Sequence, residues 1–279
     1  PGRTFNLTLK LESLALEIIG YFLALFVGLV IGTLGGGGSI LAVPILVVFF
    51  QMEPQNATVY SLFIVGVTSL FGAIQHFKSK LIHPKNALLF GIPAVISISL
   101  TRLLLVALIP QKIHLGETIV FEKNTFIMSL FGILMILASI PMIRGQKEHP
   151  STKKNRPTVL VIFGLLIGFI SGLVGAGGGF MIIPSLSIFM KVPIKNAIAT
   201  SIVIIAINSL SGFTAELFKP DLQLNWIILL GFTLIATAGL IIGLRFNNRM
   251  QADKLKKGFG IFVLLIGISI LITELVSGR

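Results

Sequence analysis

The stretch GTLGGGGSILAVP, Gly32 to Pro44, places four consecutive glycines inside apolar sequence. A glycine in a helix interior costs about 1 kcal/mol relative to alanine. Four in a row therefore break a helix that would otherwise cross a membrane. A second stretch, GLVGAGGGFMIIP from Gly172 to Pro184, repeats the layout 140 residues later. A chain of this kind must fold around two interrupted segments.

Composition sets the solvent. The 279 residues are 54% hydrophobic and only 11% charged, against about 25% charged in a soluble domain. This predicts an all-α polytopic membrane protein, placed in the cell membrane with lipid as its main partner. The absence of cysteine excludes thiolate metal sites, disulfide frameworks and a cysteine nucleophile. The net charge of +12 sits in short loops between apolar runs, where Lys and Arg set membrane orientation. It does not mark a nucleic-acid surface. The first apolar run, from about Leu14, reads as a spanning segment rather than a signal peptide.

Ten apolar segments follow, at roughly 14–33, 39–51, 57–76, 86–109, 126–143, 158–174, 179–190, 196–217, 225–244 and 258–275. A spanning helix needs about 20 residues. The second and seventh segments, each opening at a glycine run and carrying a proline, are too short to cross without tilt or bilayer thinning. Lys78, Lys80, His83 and Lys85 make the loop after segment three basic, as do Arg144 to Arg156 after five and Arg245 to Lys257 after nine. These loops are expected inside. The mixed loop around Lys112, Glu117, Glu122 and Lys123, and the balanced one around Glu216, Lys219 and Asp221, are expected outside, with both termini.

At a constant offset of 140, residues 28–91 align without a gap on 168–231, and 17 of the 64 pairs are identical. They include Gly35/Gly175, Gly37/Gly177, Gly38/Gly178, Pro44/Pro184, Ser61/Ser201 and Ser69/Ser209. The expected organisation is an N-terminal repeat over 1–143, a basic cytoplasmic linker over 144–157 and a C-terminal repeat over 158–279. The loops after segments three and eight carry opposite orientation signals, so the two repeats of about five helical segments should have inverted topology. Broken helices meeting at mid-membrane are the architecture of many secondary transporters.

Irregular backbone is tolerated at membrane depth where it is buried in protein or lines a cavity. A glycine turn opening a short helix offers bare N–H groups and the positive end of the helix dipole, which suits an anion. Gly35, Gly36, Gly37, Gly38 and Ser39, with Gly175, Gly177, Gly178 and Gly179, are the candidate substrate-binding backbone. The competing explanation is close helix packing, which fits the four-residue spacings Gly28–Gly32 and Gly164–Gly168–Gly172 better than it fits consecutive runs.

Segments three and eight add polar candidates: Ser61 and Ser69 in the first, Thr200, Ser201 and Asn208 in the second. Ser and Thr hydroxyls also bond back to their own helix, and Asn56 and Asn196 could cap helices. Ser61 and Ser69 are about 12 Å apart along a helix and cannot share one small ligand unless the path is long. Arg102 lies within segment four. A charge there either meets an anionic substrate or snorkels to the outer face. Glu216 and the equivalent His76 are expected to be solvated at segment ends. Lys191 and Lys195 flank the short seventh segment and could attract anions.

The doubled pattern GGGGSILAVPILVVFFQMEPQNATVYS and GAGGGFMIIPSLSIFMKVPIKNAIATS resembles the sulfite exporter TauE/SafE family, also called the toluene sulfonate uptake permease family. The resemblance covers roughly 14–109 and 158–244. The first copy departs from the second at Tyr60, where the second has Thr200, and at Glu53. The resemblance implies transport of small sulfur-containing anions, sulfite or organosulfonates, across a cytoplasmic membrane. The family motif carries over to Gly35, Gly37, Gly38, Pro44, Gly175, Gly177, Gly178, Gly179 and Pro184.

The expected function is export by alternating access, with no cofactor, no metal and a possible homo-oligomeric state. Moving one negative charge out of a negative interior is downhill by about 2.3 kcal/mol per 100 mV, so no coupling ion is required. An intramembrane metalloprotease would need an H-E-x-x-H pair, which the sequence lacks. A channel for another small anion and a cation-coupled importer remain open at this point.

Overall fold

The computed structural model describes residues 2–77, 81–115, 119–144, 157–189, 192–219, 222–246 and 252–277. Helix α1 (Gly2–Leu34) ends at the first glycine run. A 3-10 turn, Gly36–Gly38, then opens α2 (Ser39–Phe49), which carries Pro44 inside it. Next come α3 (Pro54–Phe77) and α4 (Pro84–Leu100), the latter widening into a π-turn at Thr101–Leu105 and closing with the single turn α5 (Val106–Leu108). A short antiparallel hairpin, β1 (Lys112–Leu115) with β2 (Ile119–Glu122), leads to α6 (Lys123–Arg144). The second half runs through α7 (Pro157–Val174), the short α8 (Gly179–Pro184) with a π-turn at Ser185–Phe189, α9 (Ile194–Leu217), α10 (Trp226–Phe246) and α11 (Ala252–Ser277).

The architecture is the expected polytopic helical one. Among the described residues eight helices are long and apolar enough to span a bilayer, and α2 and α8, which follow the glycine runs, are too short to do so. The hairpin is an addition that the sequence did not suggest. Most of the linker, 145–156, lies outside the described residues, as do Lys191, Asp221 and His149.

Helices α3 and α9 form the centre. Within each, 72% of the apolar window is buried, against 28–44% in the other six spans. The outer helices turn large side chains outward, among them Phe22, Leu108, Ile227 and Leu234. Apolar exposure on this scale suits lipid and not water.

Around the centre the helices pair in a pattern that survives exchange of the two halves. α1 packs on α10, and its counterpart α7 packs on α4; α3 packs on α9, and α6 on α11. Two of these interfaces are built on glycine. A methyl group on Gly28, Gly32, Gly239 or Gly243 would overlap backbone of the facing helix in the α1–α10 pair. Gly164 and Gly168 do the same for α7 against Phe90 and Ala94 of α4. The four-residue spacings therefore serve close approach. Every one of the four main pairs joins one helix from each half, so the halves interlock.

Candidate functional site

Both glycine runs leave the helical path, as expected. Gly35 has φ +73°, and Gly175, Gly177 and Gly178 have φ of +72°, +64° and +69°. L-residues with a side chain rarely adopt this conformation, which accounts for glycine there. No side chain caps α2 or α8; the glycine turns cap part of each helix start themselves, Ser39 N donating to Gly36 O and Met181 N to Gly178 O at 3.0 Å. Ser39 Oγ donates to Gly36 O at 2.7 Å and closes the first turn on itself.

The two turns meet. A methyl group on Gly179 would lie 2.6 Å from Gly36 O, and one on Gly36 would overlap the Gly179 carbonyl. In this conformation the backbones touch, leaving no room for a guest between Gly36 and Gly179.

Polar faces of α3 and α9 close round the turns. A methyl group on Gly177 would overlap Ser209 Oγ and lie 3.3 Å from Val65 and 3.6 Å from Ile205. Residues four apart share a helix face: Val65 belongs to the Ser61–Val65–Ser69 face of α3, and Ile205 and Ser209 to the matching Ser201–Ile205–Ser209 face of α9. Ser201 Oγ would be 3.4 Å from a methyl group on Gly35, and it donates to Ile198 O at 2.8 Å. Ser61, Thr68, Ser69, Asn208 and Ser209 are fully buried. The hydroxyls of Ser61, Thr68, Ser69 and Ser209 and both amide atoms of Asn208 have no hydrogen-bond partner among the described residues. Thr68 and Asn208 are equivalent positions in the repeat. An unpaired buried polar group costs about 1–3 kcal/mol, so a concentration of them on the two central helices, with Ser209 against the second turn, marks a place built for something polar.

Two residues that the sequence did not single out belong here. Ser171, on α7, packs against Gly178, and its hydroxyl is also unpaired. It is the one hydroxyl in the interior of α7, which was the available signal. Thr58 packs against Gly175. Ser209, noted in the sequence as the repeat partner of Ser69, completes the α9 face.

Thr200 and Asn196 are engaged elsewhere. Thr200 Oγ1 accepts from His83 N at 3.1 Å, and Asn196 Nδ2 donates to Leu81 O at 2.9 Å. Tyr60, the repeat equivalent of Thr200, accepts from Asn225 N. The two unlike residues thus do the same work: each holds the backbone just ahead of the next long helix, α4 or α10.

Arg102 does not snorkel. It is 1% exposed, and its Nη1 donates to Thr58 Oγ1 at 3.0 Å and to Glu216 Oε1 at 3.2 Å. Its Nη2 lies 2.5 Å from where a Gly175 methyl would be. The expectation that Glu216 is solvated at a segment end fails, because it is 1% exposed. Arg102 reaches it from the π-turn after α4, and Lys219 Nζ binds its other oxygen at 2.7 Å. His76, its repeat equivalent, is half-buried. Lys123, expected in a loop, is 4% exposed and donates to Val106 O at 2.6 Å. Lys195 is exposed as expected.

No group of three or more His, Cys, Asp or Glu that could hold a metal occurs among the described residues. The observation that decides the family is sequence similarity: the model of the sulfite exporter TauE/SafE family matches residues 21–270. The chain belongs to that family. TauE/SafE relatives include the probable membrane transporter protein YunE of Bacillus subtilis, 25% identical over 91% of this chain and 98% of its own length. A probable membrane transporter protein of Methanocaldococcus jannaschii is 30% identical over 70% of this chain and 72% of its own. Another, from Xylella fastidiosa, is 28% identical over 88% and 91%. No solved structure matches. As a TauE/SafE member with eight apolar helices, the chain is a multi-pass membrane protein of a transport family, which speaks against an enzyme.

Proposed function

We propose that this TauE/SafE protein carries small sulfur-containing oxyanions, sulfite or organosulfonates, outward across the cell membrane by alternating access. The observation that supports this is the junction of the two glycine turns, with the unpaired hydroxyls of Ser171 and Ser209 against the second turn and further unpaired groups, Ser61, Ser69 and Asn208, buried on the central helices α3 and α9. Hydroxyls, an amide and helix N-termini offer hydrogen-bond donors without a full charge, a setting that suits an anion. Donors of this kind bind a weakly basic oxyanion loosely enough to release it.

The exchange-symmetric helix pairing and the loop charges support two halves of opposite orientation. Because Gly36 and Gly179 touch, the conformation described is closed at the junction, and a guest enters only when the turns part. The interlocked halves point to α1–α10 and α4–α7 as the moving bodies, sliding on the α3–α9 centre. Each body contains one helix from each repeat, and repeat exchange converts one body into the other. An inward-open state thereby becomes an outward-open one.

Reconstitution in liposomes under an imposed potential tests the function. Sulfite or sulfoacetate should move with the sign and size of the potential. No voltage-dependent flux of any small oxyanion would remove the export mechanism. Flux that requires sodium or a pH gradient would replace it with a coupled importer, and millions of ions per second would mean a channel.

A further inference from the structure

The geometry points to a second anion site at Arg102, in which Glu216 is a resident counter-ion that an incoming oxyanion displaces. The inference rests on the anion reading above and adds a gate to it. Three cations, Arg102, Lys219 and Lys123, lie within electrostatic reach of the single carboxylate of Glu216. Arg102 and Lys219 alone outnumber the one carboxylate that both of them bind. Arg102, Lys123 and Glu216 are each at most 4% exposed. Leaving positive charge uncompensated at this depth is costly, unless a negative guest visits.

The guanidinium shows where the guest would bind. A guanidinium has five N–H donors, and its Nε–Nη2 edge presents two of them in parallel. In Arg102 only Nη1 is used; Nε and Nη2 are buried with no partner among the described residues. The unused edge is the one shaped for two oxygens of a single oxyanion. Its Nη2 lies against Gly175, at the start of the second glycine turn, so an anion takes this edge when that contact opens and then stands at the entrance to the junction.

Glu216 is placed to give way. Its Oε2 is held by Lys219 at 2.7 Å, while its contact with Arg102 through Oε1 is longer, 3.2 Å. Lys219 is partly exposed and can swing, carrying Glu216 off Arg102 without stranding the carboxylate. The exchange moves no proton: one anion replaces another on the same cation. The device belongs to one side only. Across the repeat, Thr58 corresponds to Ile198 and Glu216 to His76, so no copy of it stands in the other half. Selectivity follows from the fork. An oxyanion with two accessible oxygens gives each N–H its own straight hydrogen bond, whereas a single chloride must be shared between the two and should be held less tightly.

The test uses the full chain in lipid nanodiscs, with sodium sulfite and sodium methanesulfonate as probes and sodium chloride at matched ionic strength as control. Glu216→Gln removes the competitor, so oxyanion affinity should rise about tenfold. Arg102→Lys keeps the charge but loses the fork, so affinity should fall about tenfold while chloride is unaffected. Glu216→Gln also leaves Arg102 unpaired, so its melting temperature should fall and be restored by sulfite but not by chloride. If Glu216→Gln does not fold, Lys219→Gln serves, since it leaves Glu216 to Arg102 alone and should weaken oxyanion binding. Variants that bind oxyanions as the unmodified protein does, with flux intact, would overturn the gate and leave the transport proposal standing. An unmodified protein that neither binds nor moves an oxyanion would overturn both.

Discussion

Gly36 and Gly179 face each other with no space for a side chain on either: a Gly179 methyl would lie 2.6 Å from Gly36 O, and a Gly36 methyl would overlap the Gly179 carbonyl. The obstacle is backbone on both sides, so neither neighbour can rotate away. Gly36→Ala should cost about 1–3 kcal/mol in overpacking strain. Gly37, its neighbour, has only side chains within reach, Phe259 at 3.4 Å and Met142 at 3.6 Å. Gly37→Ala should therefore stay within about 0.5 kcal/mol. Thermal unfolding in detergent separates the two, and equal losses would show that the turns are not in contact.

Asn208 should separate stability from transport. Its amide is fully buried and unpaired. Asn208→Leu removes an unsatisfied group and should stabilise the resting protein by about 1–3 kcal/mol. The same change removes a donor from the proposed path, so oxyanion flux in liposomes should fall. A variant that is both less stable and fully active would assign Asn208 to packing.

What the sequence reveals and what it hides divide along the range of the interactions. The ten segments, the two breaks and the four-residue glycine spacings are local patterns, and each appears where the residues put it. Glu216 is different. It looks solvated because Phe218 and Lys219 follow it at a helix end; what buries it is Arg102, reached across 114 positions. No periodicity encodes that pairing. Thr200 misleads for a related reason. Its helix position suits a ligand, yet a distant backbone amide, His83 N, takes its oxygen first. The hairpin β1–β2 was not legible, because eleven residues between two long apolar segments read as a loop.

Tyr60 and Thr200 should prove interchangeable in role. Each accepts one backbone N–H ahead of a long helix, from Asn225 and His83 respectively. Tyr60→Phe and Thr200→Val keep the shape and delete the acceptor. Each should cost about 0.5–1.5 kcal/mol and leave the affinity for sulfite unchanged. A selective loss of sulfite binding in Thr200→Val, with stability intact, would return Thr200 to the binding path.

The interlocked pairing makes its own demand. Gly28 and Gly168 are equivalent in the repeat, and each lets its helix approach a carbonyl of the other half, Ala236 O for Gly28 and Ala94 O for Gly168. Alanine at either position forces the α1–α10 or α4–α7 pair apart, so both variants should lose about 1–3 kcal/mol. Gly91 is also identical across the repeat, at Gly231, yet a methyl group on it would meet nothing within 4 Å. It lies inside α4 with ordinary helical geometry. Gly91→Ala should therefore stabilise by up to about 1 kcal/mol through helix propensity. Chemical denaturation of the three variants decides the point. Matched losses at Gly28 and Gly168 with a gain at Gly91 are expected if the two mixed pairs are symmetric bodies. A loss at only one of the first two would show that the halves pack unequally.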